Sequence, residues 1–176
     1  MKKILLLISA AVMLAAAVMG CQGQTDVPDP TISMPEKTRT VLVYFSTGNT
    51  LVQEKHVVAD NKDIIKTAVD EVLAAKPQEN KDIAIVQPEC KVLDVKVDKA
   101  GVATINFSKE VLDFEATPKE KLLAFGAVQE TLKQFKELKA FKFQVQGKEN
   151  GIVNGKDVKR FWEAVSLNGQ PWPLKK

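Results

Sequence analysis

The chain has 176 residues, 45% of them hydrophobic, 6% aromatic and 27% charged, enough apolar matter for one core and room for little besides. Its formal charge is only +3, with the two signs interspersed and no long run of either, which excludes a polybasic arm and argues against nucleic-acid binding. Two cysteines and one histidine exclude a Cys/His zinc centre, and no other metal site is expected.

Residues 1–20 read as a leader rather than as part of the fold. Lys2 and Lys3 form a basic n-region, Ile4 to Val18 is apolar, and Val18-Met19-Gly20-Cys21 closes it. The span suits a secretory signal and is too short for a permanent transmembrane helix. Its closing four residues resemble the lipobox of bacterial lipoproteins. That resemblance implies cleavage before Cys21, a diacylglycerol thioether on its sulfur and usually an acylated amino terminus. The mature protein is then expected on the outer face of the cytoplasmic membrane, or in the periplasm or outer membrane of a diderm. Two or three acyl chains, at about 0.8 kcal/mol per buried CH₂, hold such a protein without a spanning helix. An ordinary signal peptide that happens to precede a cysteine is the alternative. Of the 25 basic residues Lys2 and Lys3 leave with the leader, so the mature chain is nearly neutral. With Cys21 lipidated, Cys90 has no disulfide partner and reads as an apolar filler or a half-exposed thiol.

Residues 21–40 hold the lipidated cysteine and a tether. Gln22 to Thr40 is polar and without period, and Pro28, Pro30 and Pro35 keep it extended. Stretched, it would reach about 60 Å from the bilayer. Order is predicted from Val41. Val41 to Phe45 is a nearly continuous apolar run, as in a strand buried on both faces. Ser46 to Thr50 is turn chemistry, and Leu51 to Val58 resumes a strand whose Glu54, Lys55 and His56 suit an exposed edge. A helix is predicted from about Asn61 to Ala75, with Ile64, Ile65, Ala68, Val69, Val72 and Leu73 as its apolar stripe and Pro77 as its stop. Gln78 to Cys90 reads as a loop carrying one apolar patch, Ile83 to Val86.

Leu93, Val95 and Val97 alternate with Asp94, Lys96 and Asp98, and Ala103, Ile105 and Phe107 alternate with Thr104 and Asn106. The two runs predict an antiparallel hairpin with one greasy face, closed at Gly101, where a positive φ is easiest without a Cβ. Thr117-Pro118-Lys119-Glu120 predicts a helix start with a capping box, followed by a stripe of Leu122, Phe125, Val128, Leu132 and Phe135. Phe141, Phe143 and Val145 predict a further strand that ends at Gly147. The order is strand, strand, helix, strand, strand, helix, strand, which predicts an α+β two-layer sandwich.

Residues 41–147 resemble the GerMN domain family of spore-germination lipoproteins. The resemblance is carried by VLVYFSTGNTLVQEKHVV, AVDEVLAA, VLDVKVDKAGVATINFS and VQETLKQFKELKAFKFQVQGK. It implies a β(β)αββαβ fold similar to the ring-building motifs of secretion and sporulation channels. Such units pack side by side into rings, or serve as adaptors for proteins that do. Two stretches depart from the family: the end of the first helix, AAKPQENKD, and residues 148–176, which the pattern does not cover.

The chemistry on offer is sparse. Ser46 or Thr47 with His56 lacks an oxyanion hole and a third orienting group, and nothing sets Glu54 and Glu110 across a cleft, so the chain is predicted not to be an enzyme. Tyr44 to Thr50, YFSTGNT, resembles the phosphate loop of flavodoxins, which would imply bound FMN. However, the loop is one residue short, and a β-prone segment follows where that family has a helix. No cofactor is therefore expected. In residues 148–176, Arg160, Trp162 and Trp172 are candidate binding residues, as anchors for a protein or for the sugar faces of peptidoglycan. Val158, Phe161, Trp162 and Val165 equally fit one side of a short helix that caps the core. Three readings follow: a membrane-anchored assembly or adaptor module that meets itself or another envelope protein, a wall-glycan binder, and, behind both, a flavin protein.

Overall fold

The computed structural model describes residues 37–74 and 89–175, so the leader, Cys21, nearly all of the tether and the Ile83–Val86 patch lie outside the described residues. The first ordered unit is an antiparallel ribbon of β1 (Thr38–Ser46) and β2 (Leu51–Ala59), paired from Thr38↔Ala59 to Ser46↔Leu51. It starts three residues before Val41. Its open end is tied by the Asp60 N–H on the Lys37 carbonyl (2.7 Å) and by the Lys37–Asp60 ion pair (2.9 Å). β1 was expected to be buried on both faces, but it alternates: Val41, Val43 and Phe45 are at most 1% exposed, while Leu42 and Tyr44 are half-buried. The cause is that the rest of the fold covers one face of the ribbon, so that β2 alternates in the same way.

α1 (Ile64–Ala74) buries Ile64, Ala68, Val69, Val72 and Leu73, as its period predicts. It starts later than expected because the Asn61 side chain takes the Asp63 N–H (2.8 Å) in an Asx turn just before it. α2 (Pro118–Leu132) begins with the predicted capping box: the Glu120 N–H donates to Thr117 Oγ1 and the Thr117 N–H to Glu120 Oε2. That backbone bond, reinforced by the Thr117 hydroxyl, holds the Glu120 carboxyl below its usual 4.5. The buried stripe of α2 is rotated from the predicted one. Ala124, Ala127, Val128, Thr131 and Leu132 face inward and Leu122 is 52% exposed. The small residues let α2 approach β1 and α1, where Leu122 would hold them apart.

β3 (Val92–Val97), β4 (Val102–Phe107), β5 (Ala140–Val145) and a short β8 (Trp172–Pro173) form a sheet in the order β3-β4-β5-β8. The hairpin pair β3–β4 is antiparallel, and β5 returns parallel to β4 after the α2 crossover. Ala103, Ile105, Phe107, Phe141, Phe143 and Val145 make the buried face. A register shift between Val92 and Asp94 turns Leu93 out of the predicted apolar face, leaving it 43% exposed, while Val97, opposite Ala103 at the end of the strand, is 42% exposed. Across the sheet, the Asn106 side chain donates to Asp94 (2.8 Å) and accepts the Gly147 N–H (2.8 Å).

The element order and the α+β class match the sequence reading. The strands nevertheless divide between two principal sheets, because β1–β2 pairs only with itself. Residues 148–175 are not an appendage. A hairpin of β6 (Ile152–Val153) and β7 (Lys156–Asp157) leads to Val158, Phe161, Trp162, Val165, Leu167 and Leu174, all in the same core.

Gly101 and Gly147 both hold left-handed backbone, φ 83° and 74°. A Cβ on Gly101 would lie 2.7 Å from the Glu137 carbonyl, whereas one on Gly147 would meet nothing within 4 Å. Gly147→Ala should cost about 1 kcal/mol, the φ penalty alone, and Gly101→Ala at least about 1 kcal/mol more. Urea unfolding of the two variants measures the difference.

Candidate functional site

The turn after β1 is closed on itself. The Thr47 N–H donates to the Thr50 carbonyl (2.9 Å), the Gly48 N–H to Ser46 Oγ (3.1 Å) and the Thr50 N–H to Thr47 Oγ1 (3.3 Å). Three amides that a phosphate loop would aim at its ligand are thus spent within the turn, and an antiparallel strand follows in place of a helix. The loop does not have the architecture of a flavodoxin phosphate site.

His56 overturns the expectation of an exposed edge residue. β2 turns Glu54, His56 and Val58 inward and Gln53, Lys55 and Val57 outward, and His56 and Glu54 are 1% and 2% exposed. The ring Nδ1 lies 2.8 Å from Glu71 of α1, and Nε2 lies 3.4 Å from Glu54. Phe45 packs beside the ring, 5.5 Å between centroids. Ser46 and Thr47 are absent from the ring's partners, so no nucleophile–base pair forms here. Buried polar groups of this kind hold position by being bonded to one another, and this trio fastens α1 to the ribbon. Among the described residues no group of His, Cys, Asp and Glu side chains has the arrangement to hold a metal ion.

Cys90 is buried beside Ser108. Burial, with the Glu110 and Asp70 carboxylates adding to it against the Ser108 hydrogen bond, pushes its thiol up to about 12. It is a filler, not a nucleophile.

The three candidate binding residues separate. Trp162 is 2% exposed, donates its Nε1–H to the Val111 carbonyl (2.8 Å) and packs on Phe161 and Phe114; it is a core residue and is not open to a partner. Trp172 is half-buried. It pairs with Phe141 as part of β8 and rests on Phe125, Phe141 and Phe143, with centroids 4.9–5.4 Å away. Arg160 is exposed. It lines a cleft of about 670 Å³ between residues 112–116, Lys121, the β6–β7 hairpin and residues 160–163. Two non-glycine residues of that last turn are left-handed, Phe161 (φ 43°) and Glu163 (φ 61°). Each costs on the order of 1–3 kcal/mol and persists only where the surroundings dictate it. The sequence gives no sign of the cleft, since its walls come from segments some forty residues apart.

A two-helix α+β domain with a four-stranded sheet and a separate ribbon is therefore the class of protein defined here. Residues 42–151 match the Germane family model, described as sporulation and spore germination, and the chain belongs to that family. Solved structures agree on the fold. The first GerMN domain of the sporulation protein GerM from Bacillus subtilis is similar at 18% identity and TM-score 0.52, over 78% of this chain and 94% of that one. The tandem GerMN domains of the same protein are similar at 20% identity and TM-score 0.53 over 68% of this chain, which spans only 44% of that structure. No curated protein matches this chain.

Two outcomes test these placements. His56→Ala should lower the unfolding free energy by about 3 kcal/mol, because it empties a buried bonded position, where an exposed edge residue would cost within about 0.5 kcal/mol. Cys90 should resist a thiol reagent at pH 8 in the folded protein and react at once in denaturant, as followed by mass spectrometry.

Proposed function

We propose that this protein is a lipid-anchored envelope lipoprotein whose domain acts, without catalysis, as an assembly or adaptor module in sporulation or germination. The family match over 42–151 carries the reading. The anchor rests on Val18-Met19-Gly20-Cys21 at the end of an apolar run. Two strand edges support an assembly role. β2 and β3 are the terminal strands of their sheets and carry exposed apolar side chains, Val57 at 66%, Leu93 at 43% and Val97 at 42%. Edges of this kind are the places where a sheet protein meets another chain.

Photoreactive residues at Val57 and Leu93, activated in intact cells, test the assembly role. A ladder at multiples of the monomer means self-assembly, and one heavier band containing another protein means an adaptor. Crosslinking from neither edge, with the protein correctly localised, overturns it. Cys21→Ala tests the anchor separately: the protein should leave the membrane fraction and lose incorporation of labelled palmitate.

A further inference from the structure

The cleft beside Arg160 is built differently from the rest of the surface. One wall, residues 112–116 and Lys121, lies within the span matched by the family model; the other, residues 152–163, lies past its end at 151. The second wall is fixed in place. Lys156 donates to the Leu112 carbonyl (2.9 Å) and pairs with Asp113 (2.8 Å), and the Trp162 Nε1–H holds Val111. The positive-φ residues Phe161 and Glu163 flank the second of these fastenings, Trp162. A site that exists before its ligand arrives loses little freedom on binding, which is how small-ligand sites are usually made.

The lining decides the ligand class. Arg160 and Lys121 form no ion pair among the described residues, and neither do Glu115 and Glu163. Charges of both signs therefore face the same space with their hydrogen-bonding capacity free. Phe114 and Phe161 form the floor, but they are 7% and 6% exposed and stack on Trp162, so no ring face is open to a sugar. A polyanion such as a phosphate ester would meet Glu115, Asp157 and Glu163 beside the two cations. A ligand that carries both carboxylates and amines avoids both difficulties. A carboxylate suits the planar fork of Arg160 and the Lys121 ammonium, and an amine suits Glu115 and Glu163.

We propose that this cleft binds a short peptide bearing charges of both signs, held at its carboxylate by Arg160 and Lys121. This site is independent of lipidation and of the strand edges, so its failure leaves the assembly reading untouched.

Equilibrium dialysis of the full chain in detergent micelles, with the radiolabelled pentapeptide Ala-Glu-Lys-Ala-Ala as probe, tests it. The expected result is saturable retention with a Kd of about 1 mM or tighter. Arg160→Ala and Lys121→Ala should each weaken it about fivefold or more, and Arg160→Lys should weaken it less. Lys133→Ala, on the far end of α2, should leave it unchanged. The peptide with Gln for Glu and an amidated terminus should bind about tenfold more weakly. Arg160 is exposed, so its variants keep the fold, which circular dichroism confirms. The proposal is overturned if the wild-type chain retains the peptide no better than neutral chitotetraose, if both alanine variants bind as the wild type does, or if the peptide stripped of its carboxylates binds equally well.

Discussion

A strand in a two-stranded ribbon has a bare edge, and β1 would carry its edge into the interior. The structure depends on how that edge is closed. The side-chain amide of Gln134 takes both backbone groups of Leu42: the Leu42 N–H donates to Oε1 (2.9 Å) and Nε2 donates to the Leu42 carbonyl (2.7 Å). Thr131 Oγ1, one helical turn earlier, accepts the Tyr44 N–H (3.0 Å). A primary amide offers one donor and one acceptor in a plane, as a peptide unit does, so the last turn of α2 and the turn that follows it present β1 with a substitute strand. β5 is treated the same way. The Phe143 N–H donates to Gln170 Oε1 (2.9 Å) and Gln170 Nε2 donates to the Phe143 carbonyl (3.2 Å), just past the point where β8 stops pairing. Two glutamines thus close two strand edges, one on each principal sheet.

Local rules made most of the elements legible in the sequence. The Thr117–Glu120 box, the left-handed Gly101 and the alternation of Phe141, Phe143 and Val145 depend on spacings of a few residues, and the structure repeats them. Facing was less legible wherever a distant segment decided it. The phase of β2 is one case: both Glu54–His56–Val58 and Lys55–Val57 are plausible outward sets, and the presence of Glu71 on α1 selects the first as the inward one. The stripe of α2 is another, because a scale that ranks Leu above Ala and Thr cannot know that β1 must come close. Gln134 and Gln170 carry no hydrophobic signal at all.

The candidate site was less visible still. Arg160 and Trp162 stand two residues apart in sequence, and both are binding candidates there, although the spacing of Val158, Phe161, Trp162 and Val165 also fits a face that caps the core. The backbone reversal at Phe161 sends one into solvent and the other under Val111. Only residues that come together across the fold, such as Lys121 and Glu163, define the cleft.

The position of the last core residues in the chain has a consequence for biosynthesis. Leu174 is buried and its N–H closes on the Lys139 carbonyl (2.8 Å), while Trp162 and Leu167 fill space against elements made much earlier. The hydrophobic faces of β4, α2 and β5 therefore have no complete cover until residue 174 has cleared the ribosome. Until then the nascent chain remains an open, greasy intermediate, the kind of state that chaperones bind. Completion of the fold is a timed event, set by residues 162–174 and not by the hairpin at its centre.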